Sequence, residues 1–337
     1  MNKRVEFIDI AKFISITCVI FGHKTSCLYA LVWPFHLPLF FFVAGYFLSE
    51  KGNSIDYLKK RARSLLIPYF FTCGVVCILS IPLAILKQTS IKTDVIHWTV
   101  ASLYGLGHDI ILDDGVTIPL IGAIWFLWAM FFSLLITRWI ITITKNKFIQ
   151  IIAVAILPVV SIITSSYFWL PLSIQSACFA IPFVYIGYIF KINSDDILMF
   201  YNNNKVFVAT GCIAIGIWGY FNYKDFSMNL CIMGNGVIDI VVAMADTVVI
   251  MLISLMLSKI NLLKKIMTYF GRMTVVMLSI HLIELNLFPW HALMSKFLSN
   301  DKLITLSIAL SSYVFILLAT YLISKIAPLR SIYSIKN

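Results

Sequence analysis

Apolar runs of about twenty residues recur along the whole chain, and a bilayer span needs a helix of that length. Ten segments are long enough to span or nearly so: 7–27, 30–49, 65–86, 118–137, 148–166, 169–190, 206–220, 236–257, 274–290 and 303–324. The seventh and ninth are short. Pro68, Pro82, Pro171 and Pro182 stand near some of their ends, where neighbouring helices can accommodate them. The 337 residues are 61% hydrophobic and only 12% charged, about half the charge of a soluble chain. The expectation is an all-α fold, a polytopic membrane bundle of about ten helices in one domain over 1–337. No soluble domain, low-complexity tract or internal repeat stands out.

The net charge of +11 follows from the way basic residues collect on the cytoplasmic side of a membrane protein, and it does not indicate nucleic-acid binding. With the N-terminus inside and the spans alternating, nineteen of the 26 Lys and Arg residues fall on the inner side and six outside, with Lys12 inside the first span. That asymmetry supports an N-in, C-in topology. MNKR opens like a signal peptide, but Asp9 and Lys12 follow it without a small-residue cleavage site, so the first span is read as retained. Cys18, Cys73, Cys77, Cys178 and Cys212 lie in apolar runs as small hydrophobes. Cys73 and Cys77 share a helix face without a matching ligand set, so no metal site is expected. Cys27 and Cys231 lie near the predicted outer surface, where one disulfide is conceivable.

Ionisable groups in a span are costly, and the default reading is that they face the bundle interior and act there. The first span carries Asp9, Lys12 and His23. Eleven residues at ~100° each bring Lys12 and His23 to within ~20° around the helix, about 16 Å apart along it. Asp9, Lys12, Ile16, Val19, His23 and Ser26 form one stripe. A plainer reading pairs Asp9 with Lys12 at i,i+3 near the surface and leaves His23 as a cap. His36, beside Pro38, enters the second span near the outer end of the first; it is either a neighbour of the same site or a histidine at headgroup level.

Other polar positions offer less. The run Lys59-Lys60-Arg61-Ala62-Arg63 enters the third span from the inner side, where it either sets topology and touches anionic lipid or grips a phosphorylated ligand. Asp239 and Asp246, seven apart, share a face of the eighth span, and His281 and Glu284, three apart, are neighbours on the ninth. These four line a proton or substrate pathway or form buried structural links. The longest outer loop, 87–117, holds Asp94, Asp109, Asp113 and Asp114 with His97 and His108; it is a lid or a solvated connector. Two function classes follow: a membrane enzyme with a histidine base inside the bundle, and a secondary transporter or glycan exporter. Transporters commonly carry an internal repeat, and none is visible.

Four stretches in order resemble the integral-membrane acyltransferase-3 family, in particular its fucose 4-O-acetylase-like members: FIDIAKFISITCVIFGH, FHLPLFFFVAGYF, LKKRARSLLIPYFF, and AIWFLWAMFF followed by GRMTVVMLSIHL. The resemblance runs from Arg4 to about Leu285. Lys12 and His23 satisfy the family's spacing of a basic residue before a histidine, although many members have Arg at the first position. Its Arg-x-x-Arg element reads Lys60-Arg61-Ala62-Arg63 here, and Lys lacks the bidentate fork. Met273-Thr274 replaces the common Asn-Ser. The resemblance implies transfer of an acyl group, usually acetyl from acetyl-CoA, onto a hydroxyl of a surface carbohydrate, which could be a polysaccharide, an O-antigen or a lipid-linked glycan. It places the protein in a bacterial inner membrane, with membrane lipid as its surroundings and acetyl-CoA as a donor rather than a resident cofactor. His23 would be the base, near its reference pKa of ~6.5, with Lys12, Asp9 and His36 around it. Lys60, Arg61, Arg63 and Arg272 would meet CoA. Trp125, Asp239, Asp246, His281 and Glu284 would line the substrate path.

Overall fold

Helix α1 (Glu6–Gly22) forms from the apolar period of the first stretch and ends where His23 takes its C-cap. The computed structural model describes residues 5–25, 28–112 and 115–335. Ser26, Cys27, Asp113 and Asp114 therefore lie outside the described residues, and with them the end of the first stripe and the Cys27–Cys231 pairing. A single turn, α2 (Tyr29–Val32), precedes α3 (His36–Tyr46). Pro38 sits in the first turn of α3, where its missing N–H would have had no acceptor anyway. Helix α4 (Ser54–Lys87) has 34 residues and runs through Pro68 and Pro82. The Asn53 side chain caps it, accepting from the Ile55 amide at 2.8 Å. At 1.5 Å per residue, α4 is ~50 Å long against a core of ~30 Å, so one end must project beyond the membrane. The basic run occupies its opening turns.

The segment read as the long outer loop is partly regular. It contains α5 (Ile91–Tyr104), capped by the Ser90 hydroxyl and closed by Gly105 in the left-handed region, then the antiparallel pair β1 (Ile110–Ile111) and β2 (Thr117–Ile118). There follow α6 (Trp125–Ile143), α7 (Lys147–Ser165), α8 (Ile174–Ile192), α9 (Ser194–Asn203) and α10 (Lys205–Phe221). A second short pair, β3 (Phe226–Ser227) with β4 (Ile232–Met233), leads into α11 (Val237–Leu257) and α12 (Asn261–Gly271). The chain closes with α13 (Thr274–Leu287), α14 (Trp290–Met294), α15 (Asp301–Lys325) and α16 (Ala327–Ile332).

Among the described residues, seven helices or helix pairs are long and apolar enough to cross a membrane. The number is up to nine if the bent pairs α9–α10 (96°) and α12–α13 (68°) each count as one span. At 17 residues, α1 is shorter than those seven. Polarity runs inside out relative to a soluble protein. On α15, Ser312 and Thr320 are buried while Leu306, Leu310, Val314 and Leu318 are exposed; on α7, Ser161 is buried while Ile152, Ile156 and Ile163 face outward. Such surfaces are stable only in lipid, and the chain is a multi-pass membrane protein.

The chain divides into two interleaved units, one formed by Met1–Lys51, Ser133–Ile163 and Cys178–Thr274, the other by Gly52–Phe132, Thr164–Ala177 and Val275–Asn337. In the first, α1 packs against α3, α11 and α12, around a core that includes Ile8, Ala11, Leu39, Phe42 and Val43. Two glycines bring α3 and α8 into backbone contact: a β-carbon on Gly45 would strike the Val184 carbonyl, and one on Gly187 would strike that of Phe42. Small residues serve this purpose in membrane helices, where close packing replaces the hydrophobic drive. In the second unit α4 packs against α5 and α16, and α14 lies on α15.

Candidate active site

The first unit assembles a polar group at each end of α1. Near the start, Asp9 is buried and Lys12 reaches back to it, Nζ to Oδ1 at 2.7 Å. The i,i+3 pair foreseen as the plainer reading is therefore present. A second cation completes it: Arg272, the C-cap of α12, places Nε 3.6 Å from Asp9 Oδ2. Gly271 makes this possible, because a β-carbon there would collide with the Asp9 carbonyl. The Gly-Arg pair thus combines two functions, one residue clearing the approach of α12 to α1 and the next reaching the carboxylate. Lys264, one face of α12 further back, lies 3.6 Å from Glu6. One buried carboxylate with two cations leaves a net positive site, and the Arg272 side chain is 43% exposed.

At the other end, Trp33 lies between two imidazoles. The His23 ring is edge-on to it at 5.8 Å, and the His36 ring is tilted against it at 4.8 Å. Gly22 leaves room for the indole, since a β-carbon there would meet it at 2.5 Å. His36 is buried and held twice: its Nδ1 donates to the Val32 carbonyl at 2.9 Å, and its own carbonyl accepts from the Ser15 hydroxyl of α1 at 3.0 Å. A carbonyl can only accept, so Nδ1 carries a proton. His23, in contrast, is exposed. On the predicted stripe, Asp9, Ile16 and Val19 are buried, but His23 has passed the end of the helix and faces outward.

The comparison with known proteins bears on this arrangement. The acyltransferase-domain model of the acyltransferase-3 family matches residues 5–325, so it takes in both ends of α1, α3 and α12. The chain belongs to the acyltransferase-3 family. It is also 30% identical over 183 residues to nodulation protein NolL of Mesorhizobium japonicum. That match takes in 48% of this chain and 44% of NolL, so this chain covers less than half of that protein. No solved structure matches the chain.

The other residues singled out in this acyltransferase-3 chain fall in different places. On α4, Lys60 and Arg63 are exposed, while Arg61 folds over the Tyr57 ring at 5.0 Å; its Nε is buried without a hydrogen-bond partner among the described residues. Asp239 is a local cap, since its carboxylate accepts from the Asn235 amide at 2.9 Å and from the Asn235 side chain at 3.2 Å. Asp246, about two turns further along the same face of α11, lies instead against Gly216 of α10, in the space a side chain there would fill. These two belong to the first unit. Trp125, His281 and Glu284 belong to the second. Trp125 is buried with its indole against Gly107. His281 and Glu284 form the histidine–carboxylate pair that the sequence leaves unassigned: Nδ1 and Oε1 lie 2.8 Å apart, both side chains are fully buried, and Trp290 Nε1 donates to the other carboxylate oxygen at 2.6 Å.

Sequence reading missed a clasp on the linker 48–51, which leaves α3. Glu50 accepts from Lys145 at 2.7 Å and from the Tyr188 hydroxyl. Arg138 donates to the Ser49 carbonyl, and Lys191 donates to that of Leu48 at 3.3 Å. The Lys145 ammonium first, and the Tyr188 hydroxyl after it, hold the Glu50 carboxyl below its ordinary range, with burial opposing them. No local pattern signals this clasp, because its partners are about ninety residues or more from the linker. His108, which the sequence places in the outer loop without a role, packs its imidazole on Trp169 at 4.1 Å.

Proposed function

We propose that the protein is a membrane O-acetyltransferase that takes acetyl from acetyl-CoA and esterifies a hydroxyl of a cell-surface carbohydrate in the bacterial inner membrane. The observation that carries the reading is the fixed series His36–Trp33–His23 at one end of α1, with the Asp9–Lys12–Arg272 group at the other. His36 is the positioning residue: Val32 and Ser15 lock it, it backs Trp33, and Trp33 sets the ring of His23. His23 is the base, open to the side from which an acceptor arrives. It takes the proton as the sugar oxygen attacks the thioester carbonyl. The C–O bond forms, the C–S bond breaks, and CoA leaves as a thiolate that regains a proton. CoA is polyanionic, so its phosphates meet a cationic group, either Arg272 beside Asp9 in the first unit or the Lys60, Arg61 and Arg63 run in the second. The net positive charge at Arg272 and its exposure favour an anionic ligand there.

The test uses purified protein in nanodiscs, acetyl-CoA, and surface oligosaccharide stripped of its esters by mild base. Thiol release and a gain of one acetyl mass on the sugar are the expected result. In His23→Ala turnover should fall ~10²–10⁴-fold, the usual contribution of a general base, while the protein stays folded. Near-normal turnover in that variant would remove His23 from the mechanism. Unchanged acetylation of the host glycan with altered export, in cells lacking the protein, would favour a transporter instead.

A further inference from the structure

We propose that His108 and Trp169 form a carbohydrate subsite in the second unit, one that binds neutral sugar hydroxyls through the imidazole. The proposal rests on the carbohydrate-acceptor reading and adds a binding site to it. His108 leads from α5 toward β1, and both of its ring nitrogens are shielded from solvent without a hydrogen-bond partner among the described residues. Buried polar atoms in folded proteins are almost always satisfied, so a side chain with two such atoms calls for an explanation. Its ring is edge-on to Trp169 at 4.1 Å. Trp169 is only half-buried, so the indole covering the imidazole is also the side open to a ligand. The neighbouring residue, Gly107, lies against the Trp125 indole so closely that no side chain would fit.

The surrounding backbone is built to hold this geometry. The Leu172 amide donates to the Tyr104 carbonyl at 2.6 Å, the Ser173 hydroxyl to the Gly105 carbonyl at 2.7 Å, and the Tyr104 hydroxyl to the Trp169 carbonyl at 2.8 Å. Leu172 and Ser173 both occupy the left-handed region, with φ of 60° and 53°. L side chains adopt it at a cost that persists where the surroundings over-determine it, and such residues cluster at ligand clamps.

The chemistry selects the ligand class. Burial favours the uncharged imidazole, with the Asp109 carboxylate beside it pulling the other way. Asp109 itself is engaged by the Leu120 amide at 2.7 Å, and its charge disfavours an anion. A neutral imidazole offers one donor and one acceptor, and sugar hydroxyls supply the complement in either tautomer. The half-buried Trp169 indole presents the flat apolar surface that a sugar ring's C–H face can cover.

The experiment compares wild type with His108→Phe, which keeps the ring and loses both hydrogen bonds, and with His108→Gln, which keeps a donor and an acceptor. The probe is base-stripped oligosaccharide from the host's own surface glycan. Two readouts are taken: saturation-transfer NMR without acetyl-CoA, and separate KM values for sugar and acetyl-CoA. His108→Phe should raise the sugar KM about 10-fold or more and lose the NMR signal. The acetyl-CoA KM and the melting temperature should stay as in wild type, and His108→Gln should recover part of the loss. If wild type binds the oligosaccharide through His108 but transfers no acetyl, the acetyltransferase reading fails and the subsite stands. If wild type transfers acetyl and His108→Phe binds the sugar equally well, the subsite is overturned. Absence of oligosaccharide binding in wild type also overturns it.

Discussion

Asp9 shows how a single charge is kept inside a membrane helix. A buried carboxylate is tolerated when it is paired, and removing one partner costs more than the pair itself contributes. Lys12→Met should therefore lower stability by about 1–3 kcal/mol, discounted for the partial exposure of the lysine. Adding Asp9→Asn should restore most of it. Thermal melts of both variants in one detergent test this, and an additive double mutant would mean that the two residues are not coupled. Glu50 gives a pH signature. Its carboxyl is held below the ordinary range by Lys145 and Tyr188, so its contribution is full above the unfolded value of ~4.3 and is lost as pH falls through the folded one. Between about pH 6 and about pH 3, Glu50→Gln should lose less stability than wild type. Parallel melting curves across that range would exclude the clasp as a source of acid sensitivity.

At the scale of elements, α1 and α12 meet because Gly271 has no side chain. Gly271→Val should push α12 away from Asp9, break the Arg272 contact, and abolish activity with a drop in melting temperature. Gly52, exposed in the turn before α4 with nothing within 4 Å of where a β-carbon would stand, is the control position: a stability change from Gly52→Ala should come from its positive φ of 92° and not from a steric clash. The basic turns of α4 carry a separate prediction. If Arg63 holds a CoA phosphate, Arg63→Gln removes a charge-assisted hydrogen bond of ~1.5–3 kcal/mol, a rise of roughly 10- to 150-fold in the acetyl-CoA KM. Arg63→Lys should fall between the two, and the sugar KM should hardly move. Equal titrations of all three proteins would make the run a topology signal and leave Arg272 as the phosphate contact.

For the whole molecule, the decisive property is which side of the membrane each loop occupies. The asymmetry of Lys and Arg predicts that single cysteines placed at Lys224 and Asn300 react with an impermeant maleimide in intact cells, while those at Gly52 and Lys264 react only after lysis. The opposite pattern would reverse the topology and remove the cytoplasmic access to CoA on which the proposed chemistry depends. The inverted polarity of α7 and α15 does not depend on that outcome, because leucine outside and serine inside require lipid whichever way the chain is threaded.

Helical content, the membrane and the family were legible in the sequence, because each depends on local pattern. A run of apolar residues commits its own backbone to a helix in lipid, and Lys12, His23, Gly271 and Arg272 stand at readable spacings. So does the His281–Glu284 contact, since residues three apart on a helix are neighbours in any fold. Long-range pairing was decided by the tertiary structure. Asp9 could have met any cation in the chain, and the approach of α12 selected Arg272. His23 shares a helical stripe with Lys12 on paper, yet α1 stops at Gly22, and the histidine turns outward against Trp33. The Glu50 clasp and the packing of His108 on Trp169 have no sequence signature. Their partners come from segments distant in the chain, and packing the helices is what brings them together.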